Sequence, residues 1–174
     1  DTVLLREPPG GKTGGLQCLN EASLVGKLAN PHIVSMIDAV FSEEASYIAL
    51  EYVAGGNLRQ HTEPQNLLPI EQAIEIGFKC CGALDYAYRA GIVHRDIKPG
   101  NLMVTGEGSL KILDFGLARS TSDASSPDLT QVGSLLGSPH YMSPEQVGGK
   151  NADASSDIFS VGGVSDSGLA RQMA

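Results

Sequence analysis

The chain has 174 residues, with 12 Lys and Arg against 20 Asp and Glu, and a formal net charge of −8. That length suits a single soluble domain able to bury a core, and the acidic balance argues against electrostatic affinity for nucleic acid or an anionic membrane. Hydrophobic residues, at 41%, exclude disorder throughout, no run approaches the roughly 20 apolar residues of a membrane helix, and Asp1-Thr2-Val3 lacks a signal-peptide layout, so a cytoplasmic domain is expected.

Residues 7–15 (Glu-Pro-Pro-Gly-Gly-Lys-Thr-Gly-Gly) form a breaker cluster that must be a loop. Leu16, Leu19, Leu24 and Leu28 predict a helix ended by Asn30-Pro31. Two β-like stretches follow, Ile33 to Phe41 and Tyr47 to Val53, joined by Ser42-Glu43-Glu44 and read as a hairpin. Gly55-Gly56 breaks the chain before a short helix from Asn57 to His61. The clearest helix runs from Ile70 to Arg89, with Ile70, Ala73, Ile74, Gly77, Cys81, Leu84 and Tyr88 on one face, Pro69 before it and Gly91 after it. Strands Leu102 to Thr105 and Leu110 to Leu113 flank Gly106-Glu107-Gly108, and residues 119–138 read as a polar surface loop. The order implies an α+β fold in two unequal lobes.

Cys18, Cys80 and Cys81 form no disulfide framework and, without a C-x-x-C pair, no zinc site; they read as buried or half-buried thiols. Gly11-Lys12-Thr13 imitates the end of a phosphate-binding P-loop, but Arg6 stands where that motif needs its first glycine, so the run reads as a flexible linker.

Three pieces carry chemistry. His94-Arg95-Asp96-Ile97-Lys98-Pro99-Gly100-Asn101 fits H-R-D-x-x-x-x-N, Asp114-Phe115-Gly116 is D-F-G intact, and Ser143-Pro144-Glu145 is A-P-E with Ser for Ala. Over residues 20 to 164 the sequence resembles a protein kinase, specifically the Ser/Thr kinases common in bacteria. Moving a γ-phosphoryl group demands neutralised phosphate charge and a hydroxyl placed in line with phosphorus. The resemblance assigns Asp96 to the substrate hydroxyl, Lys98 to the γ-phosphate, and Asp114 and Asn101 to Mg²⁺ (or Mn²⁺), for which carboxylate and amide oxygens are suitable hard ligands.

The resemblance further implies that Leu50 to Val53 form a hinge, with backbone groups of Glu51 and Val53 receiving the adenine of ATP, Leu50 as gatekeeper, and Val40 and Met103 as apolar walls. Glu21 would pair with a lysine on the preceding strand. Arg95 would sense a phosphorylated activation loop, whose best-placed acceptors are Thr130 and Ser134, while Ser138 would orient the base. Asp157 would hold the catalytic loop by accepting backbone bonds.

Some family parts are not matched. Thr2 to Arg6 holds no lysine, and beyond Val164 the sequence Ser165-Asp166-Ser167-Gly168 departs from the central apolar helix. The expectation is therefore a protein-kinase-like α+β fold incomplete at both ends, with a partial N-lobe over residues 1–53 and a partial C-lobe over 54–174. Its partners would be protein substrates with Ser or Thr, with no nucleic acid and no membrane segment in this chain, and a kinase dimer would serve autophosphorylation. The parent protein would be cytoplasmic or membrane-anchored beyond this window. The alternative is a pseudokinase or inactive fragment acting as a nucleotide- or protein-binding module, against which intact Asp96, Asn101 and Asp114 argue.

Overall fold

The computed structural model describes residues 3–6, 25–41, 46–115, 119–120 and 139–169. The helix expected from Leu16 to Leu28 lies almost wholly outside the described residues, as do Glu21, Cys18 and residues 121–138 with Thr130, Ser134 and Ser138.

The first sheet has the order β1-β3-β2, from β1 (Val3–Arg6), β2 (Met36–Phe41) and β3 (Ser46–Glu51). Both neighbours run antiparallel to β3, with Leu4 opposite Leu50 and Val40 opposite Tyr47, so the predicted hairpin forms. The first hairpin strand is shorter than the sequence suggests. Ile33 and Val34 leave the sheet and bond instead to a later strand, Val34 N–H donating to the Ile112 carbonyl at 2.9 Å and Ile112 N–H to the His32 carbonyl at 2.8 Å. This strap joins the first sheet to the rest of the molecule. The second hairpin strand stops at Glu51, which leaves Tyr52 and Val53 outside the ladder.

Three further strands form a sheet of order β4-β6-β7: β4 (Gly55–Asn57), β6 (Leu102–Thr105) and β7 (Leu110–Ile112). Here Gly55-Gly56 is a strand and not the expected break. The reason is close approach: a Cβ at Gly55 would lie 2.1 Å from the Val104 carbonyl oxygen, so only glycine lets β4 pair with β6. A third, two-stranded pairing joins β5 (Ile92–Val93) to β8 (Arg119–Ser120), so the expected surface loop begins with a short strand.

Helix α1 spans Ile70–Arg89 as predicted, and Gly91 closes it with φ 81°. Its buried face differs from the predicted one: Ile76, Cys80, Ala83, Leu84 and Ala87 point inward, while Ile70, Ile74 and Tyr88 are exposed. The Ile70, Ile74, Phe78 stripe is a second apolar row at helical spacing, and it mimicked the core face in the sequence. The expected short helix is a 3-10 turn, Leu58–His61, capped by Asn57. Near the end, α2 (Pro144–Val147) precedes α3 (Ala154–Leu169), which continues through the polar run after Val164 rather than ending there.

The core joins α1, α3 and β5 to β7 through Ile76, Cys80, Leu84, Ile92, Ile97, Leu102, Leu110, Ile112 and Val161. Cys80 is buried, Cys81 half-buried, and both are free thiols; burial pushes the Cys80 thiol far up, which leaves it inert at neutral pH. Among the described residues no helix is long and apolar enough to cross a membrane.

Candidate active site

The segment 94–101 is suspended between β5 and β6. His94 is fully buried, its ring packed on Phe115 with centroids 4.6 Å apart. Its Nε2 lies 2.8 Å from the Leu113 carbonyl, and Asp96 N–H donates to its Nδ1 at 3.2 Å, so the ring proton belongs on Nε2. Asp157, at the start of α3, accepts the backbone N–H groups of His94 at 2.8 Å and Arg95 at 2.7 Å, as expected of it. Burial raises the Asp157 carboxyl above its ordinary range, against the opposing pull of His94 and Arg95.

These anchors present Asp96. Lys98 Nζ lies 2.5 Å from Asp96 Oδ2, and Asn101 Nδ2 donates to the same oxygen at 3.0 Å and to the Asp96 carbonyl at 2.8 Å. Asn101 is buried within the turn Pro99–Asn101. Its own carbonyl accepts Leu113 N–H at 2.8 Å, which sets Asp114 beside the catalytic loop. Arg95 and Asp114 are the described non-glycine residues with positive φ, 68° and 66°. Such conformations persist where surrounding bonds impose them, and they gather at functional sites.

A cleft of about 430 Å³ opens above this loop, within the size range of small-molecule sites. Its lining brings Asn101 and Asp114 together with Leu50 to Val53 and Met103. Val40 is not part of the lining; Val34 and Leu113 supply apolar wall instead, because the strap that pulls residues 32–34 onto β7 carries Val34 to the cleft. Glu51 is held from three sides. Its N–H donates to the Ser35 carbonyl at 2.9 Å, its Oε2 accepts Ser35 N–H at 2.9 Å, and its Oε1 pairs with Lys111. Burial works to raise this carboxyl, but Lys111 and Ser35 hold it below the ordinary range.

The third motif reaches back to the first. Ser143 and Gln146 form a capping box on α2, and Gln146 Nε2 donates to the Arg95 carbonyl at 2.8 Å. Glu145 accepts the Ser156 hydroxyl, which holds its carboxyl below the usual range. Sequence reasoning missed Gln146, Lys111 and Arg59, which lies over Gly100; the Ser-x-x-Gln spacing alone was a readable signal for the first.

The donor set suits a hard divalent cation and a phosphate chain: a carboxylate in Asp114, an amide in Asn101 and an ammonium in Lys98. The family model described as "Protein kinase domain" matches residues 9–172. The chain is similar to the serine/threonine-protein kinase PknB of Mycobacterium leprae, 39% identical over 153 residues, covering 86% of this chain and 24% of that protein. A Lactococcus lactis protein named probable serine/threonine-protein kinase PknB is 41% identical over 142 residues, covering 82% of this chain and 22% of its own length. A probable serine/threonine-protein kinase of Clostridium perfringens is 40% identical over 142 residues, at 82% and 20%. The chain thus spans about a fifth to a quarter of the length of these curated relatives.

Proposed function

Because the chain belongs to the protein kinase family, we propose that it is the catalytic part of a Ser/Thr protein kinase that moves the γ-phosphoryl of ATP to protein hydroxyls. The supporting observation is the convergence of Lys98 and Asn101 on Oδ2 of Asp96, with Asn101 and Asp114 lining a nucleotide-sized cleft. With one oxygen of Asp96 so held, the other is left to receive the substrate hydroxyl proton. Lys98, paired with that carboxylate, would also neutralise charge on the transferred phosphoryl. The new bond joins the hydroxyl oxygen to phosphorus, the bond to the ADP oxygen breaks, and the hydroxyl proton leaves by way of Asp96.

Glu51 and Val53 would take adenine through backbone groups. Since Glu51 N–H is engaged by Ser35, its carbonyl is the group it has to offer. Met103, Val34 and Leu113 would face the purine. Asp114 and Asn101 would hold Mg²⁺ or Mn²⁺, which neutralises phosphate charge when bound. In this reading residues 1–53 serve as a partial N-lobe and 54–174 as a partial C-lobe, and Glu21 pairs with a lysine. The kinase phosphorylates its own activation loop at Thr130 and Ser134 within a transient dimer, Arg95 receives that phosphate, and Ser138 orients Asp96. The site works in the cytoplasm.

Transfer of ³²P from ATP·Mg²⁺ by the full-length protein tests the reading. Incorporation into the kinase or a protein substrate is expected, and its loss in Asp96→Asn. Equal signal, or equal absence of signal, in the two would overturn it.

A further inference from the structure

One cation over Gly100 has no part in that chemistry. Arg59 lies in the 3-10 turn Leu58–His61, fixed there because Leu58 is buried beneath it and Asn57 Oδ1 accepts its N–H at 3.1 Å. Its side chain is exposed and crosses the catalytic loop at Gly100. A Cβ at Gly100 would come within 2.7 Å of Arg59 Nε and 2.9 Å of Nη2, so any side chain at that position would push the guanidinium away. Glycine there lets Arg59 lie over residue 100, which with Asn101 is part of the cleft lining.

The two neighbouring cations differ in commitment. Lys98 is bound to Asp96, whereas among the described residues Arg59 lies within ion-pairing distance of no carboxylate. A guanidinium is planar, weakly hydrated and always charged, and its preferred partner is a carboxylate or phosphate. In the kinase reading, the molecule that can bring an acidic group to this loop is the one that delivers its hydroxyl to Asp96.

We propose that Arg59 selects protein substrates carrying an acidic side chain close to the target Ser or Thr. This rests on the kinase reading above and adds the substrate class to it. Arg59 acts on substrate binding and not on phosphoryl transfer, so its effect belongs in KM for the peptide and leaves KM for ATP alone.

The test uses the full-length protein and Ser peptides that carry Asp, Ala or Lys at each of the three positions on either side of the serine. Wild type should favour the best Asp peptide over its Lys counterpart by about fivefold in kcat/KM, the scale of an exposed charge pair. Arg59→Glu should invert the order and Arg59→Gln should bring the ratio close to one. An unchanged ratio in Arg59→Glu, or no preference in wild type, would overturn the proposal. Fluorescence anisotropy with the same peptides reads the preference without turnover. If no peptide is phosphorylated, the kinase reading fails while anisotropy still decides the role of Arg59.

Discussion

Asp157 accepts the backbone N–H of Arg95 at 2.7 Å, and Arg95 holds φ at 68°, a conformation an L-residue adopts only when its surroundings require it. The second carboxylate oxygen takes His94 N–H, so a single buried side chain fixes two consecutive peptide groups just before Asp96. Asp157→Ala would leave both donors buried and unsatisfied. It should cost about 3 kcal/mol in urea unfolding and lower kcat at least about 100-fold.

The Asp157 carboxyl titrates above its ordinary 3.8. For an acid with a raised value in the folded state, the contribution to stability is fully present below the unfolded value and is lost as pH rises through the folded one. The stability gap between wild type and Asp157→Ala should therefore be widest below pH 3.8 and narrow as pH rises through the folded value. Urea midpoints at several pH values check this, and a gap that widens with pH would contradict it.

Glu51 makes the opposite case. Lys111, on β7, pairs with its carboxylate and so ties the end of β3 to the strand that leads into Asp114. Because Lys111 and Ser35 outweigh burial and lower the Glu51 value below 4.5, this contribution is present above pH 4.5 and lost as pH falls through the folded value. Lys111→Met should cost about 0.5–1 kcal/mol near neutrality and flatten the acid side of the stability profile. It should also raise KM for ATP several-fold with little change in kcat, since it loosens the part of the cleft proposed to take adenine and leaves Asp96 alone.

Two glycines in α1 lack the structural reason that holds at Gly55. A Cβ at Gly77 would meet Ser165 Oγ at 3.8 Å, ordinary contact, beside a small apolar cavity of about 40 Å³; a Cβ at Gly82 would meet nothing within 4 Å. Gly77→Ala and Gly82→Ala should each stabilise the protein by about 0.5–1 kcal/mol and raise Tm by about 3 °C. Gly55→Ala should do the reverse, because its methyl would strike the Val104 carbonyl. A thermal scan of the three variants separates conformational cost from steric need.

These residues also mark how far the sequence could be read. Asp96, Lys98, Asn101 and Asp114 could be singled out because they stand in H-R-D-x-x-x-x-N and D-F-G, the motifs that carry the resemblance, and the bounds of α1 because Pro69 and Gly91 punctuate them. The inward face of α1 could not, since Ile70, Ile74 and Phe78 repeat the helical period on the side that stays exposed. Strand β4 hid behind two glycines, which signal a break unless the neighbouring backbone is known. Lys111 and Arg59 have their partners 60 and 41 positions away in sequence, at Glu51 and Gly100, and no local pattern announces such a pairing.

The sharing of Asp96 Oδ2 by Lys98 and Asn101 has a consequence for double variants. Lys98 supplies charge to that oxygen, and Asn101 supplies direction, since its amide also grips the Asp96 carbonyl. Either loss lets the carboxylate turn, and once it has turned the remaining donor no longer holds it in line with the hydroxyl. Lys98→Ala and Asn101→Ala should each lower kcat by about 10²- to 10³-fold. The double variant should fall little further than the worse single one, because both changes release the same group. Asn101→Ala should in addition raise the Mg²⁺ concentration needed for half-maximal rate, whereas Lys98→Ala should not, as of these two residues Asn101 alone is proposed, with Asp114, to hold the ion. Single-turnover rates across a Mg²⁺ titration measure both effects, and strictly multiplicative losses would show that the two residues act on separate steps.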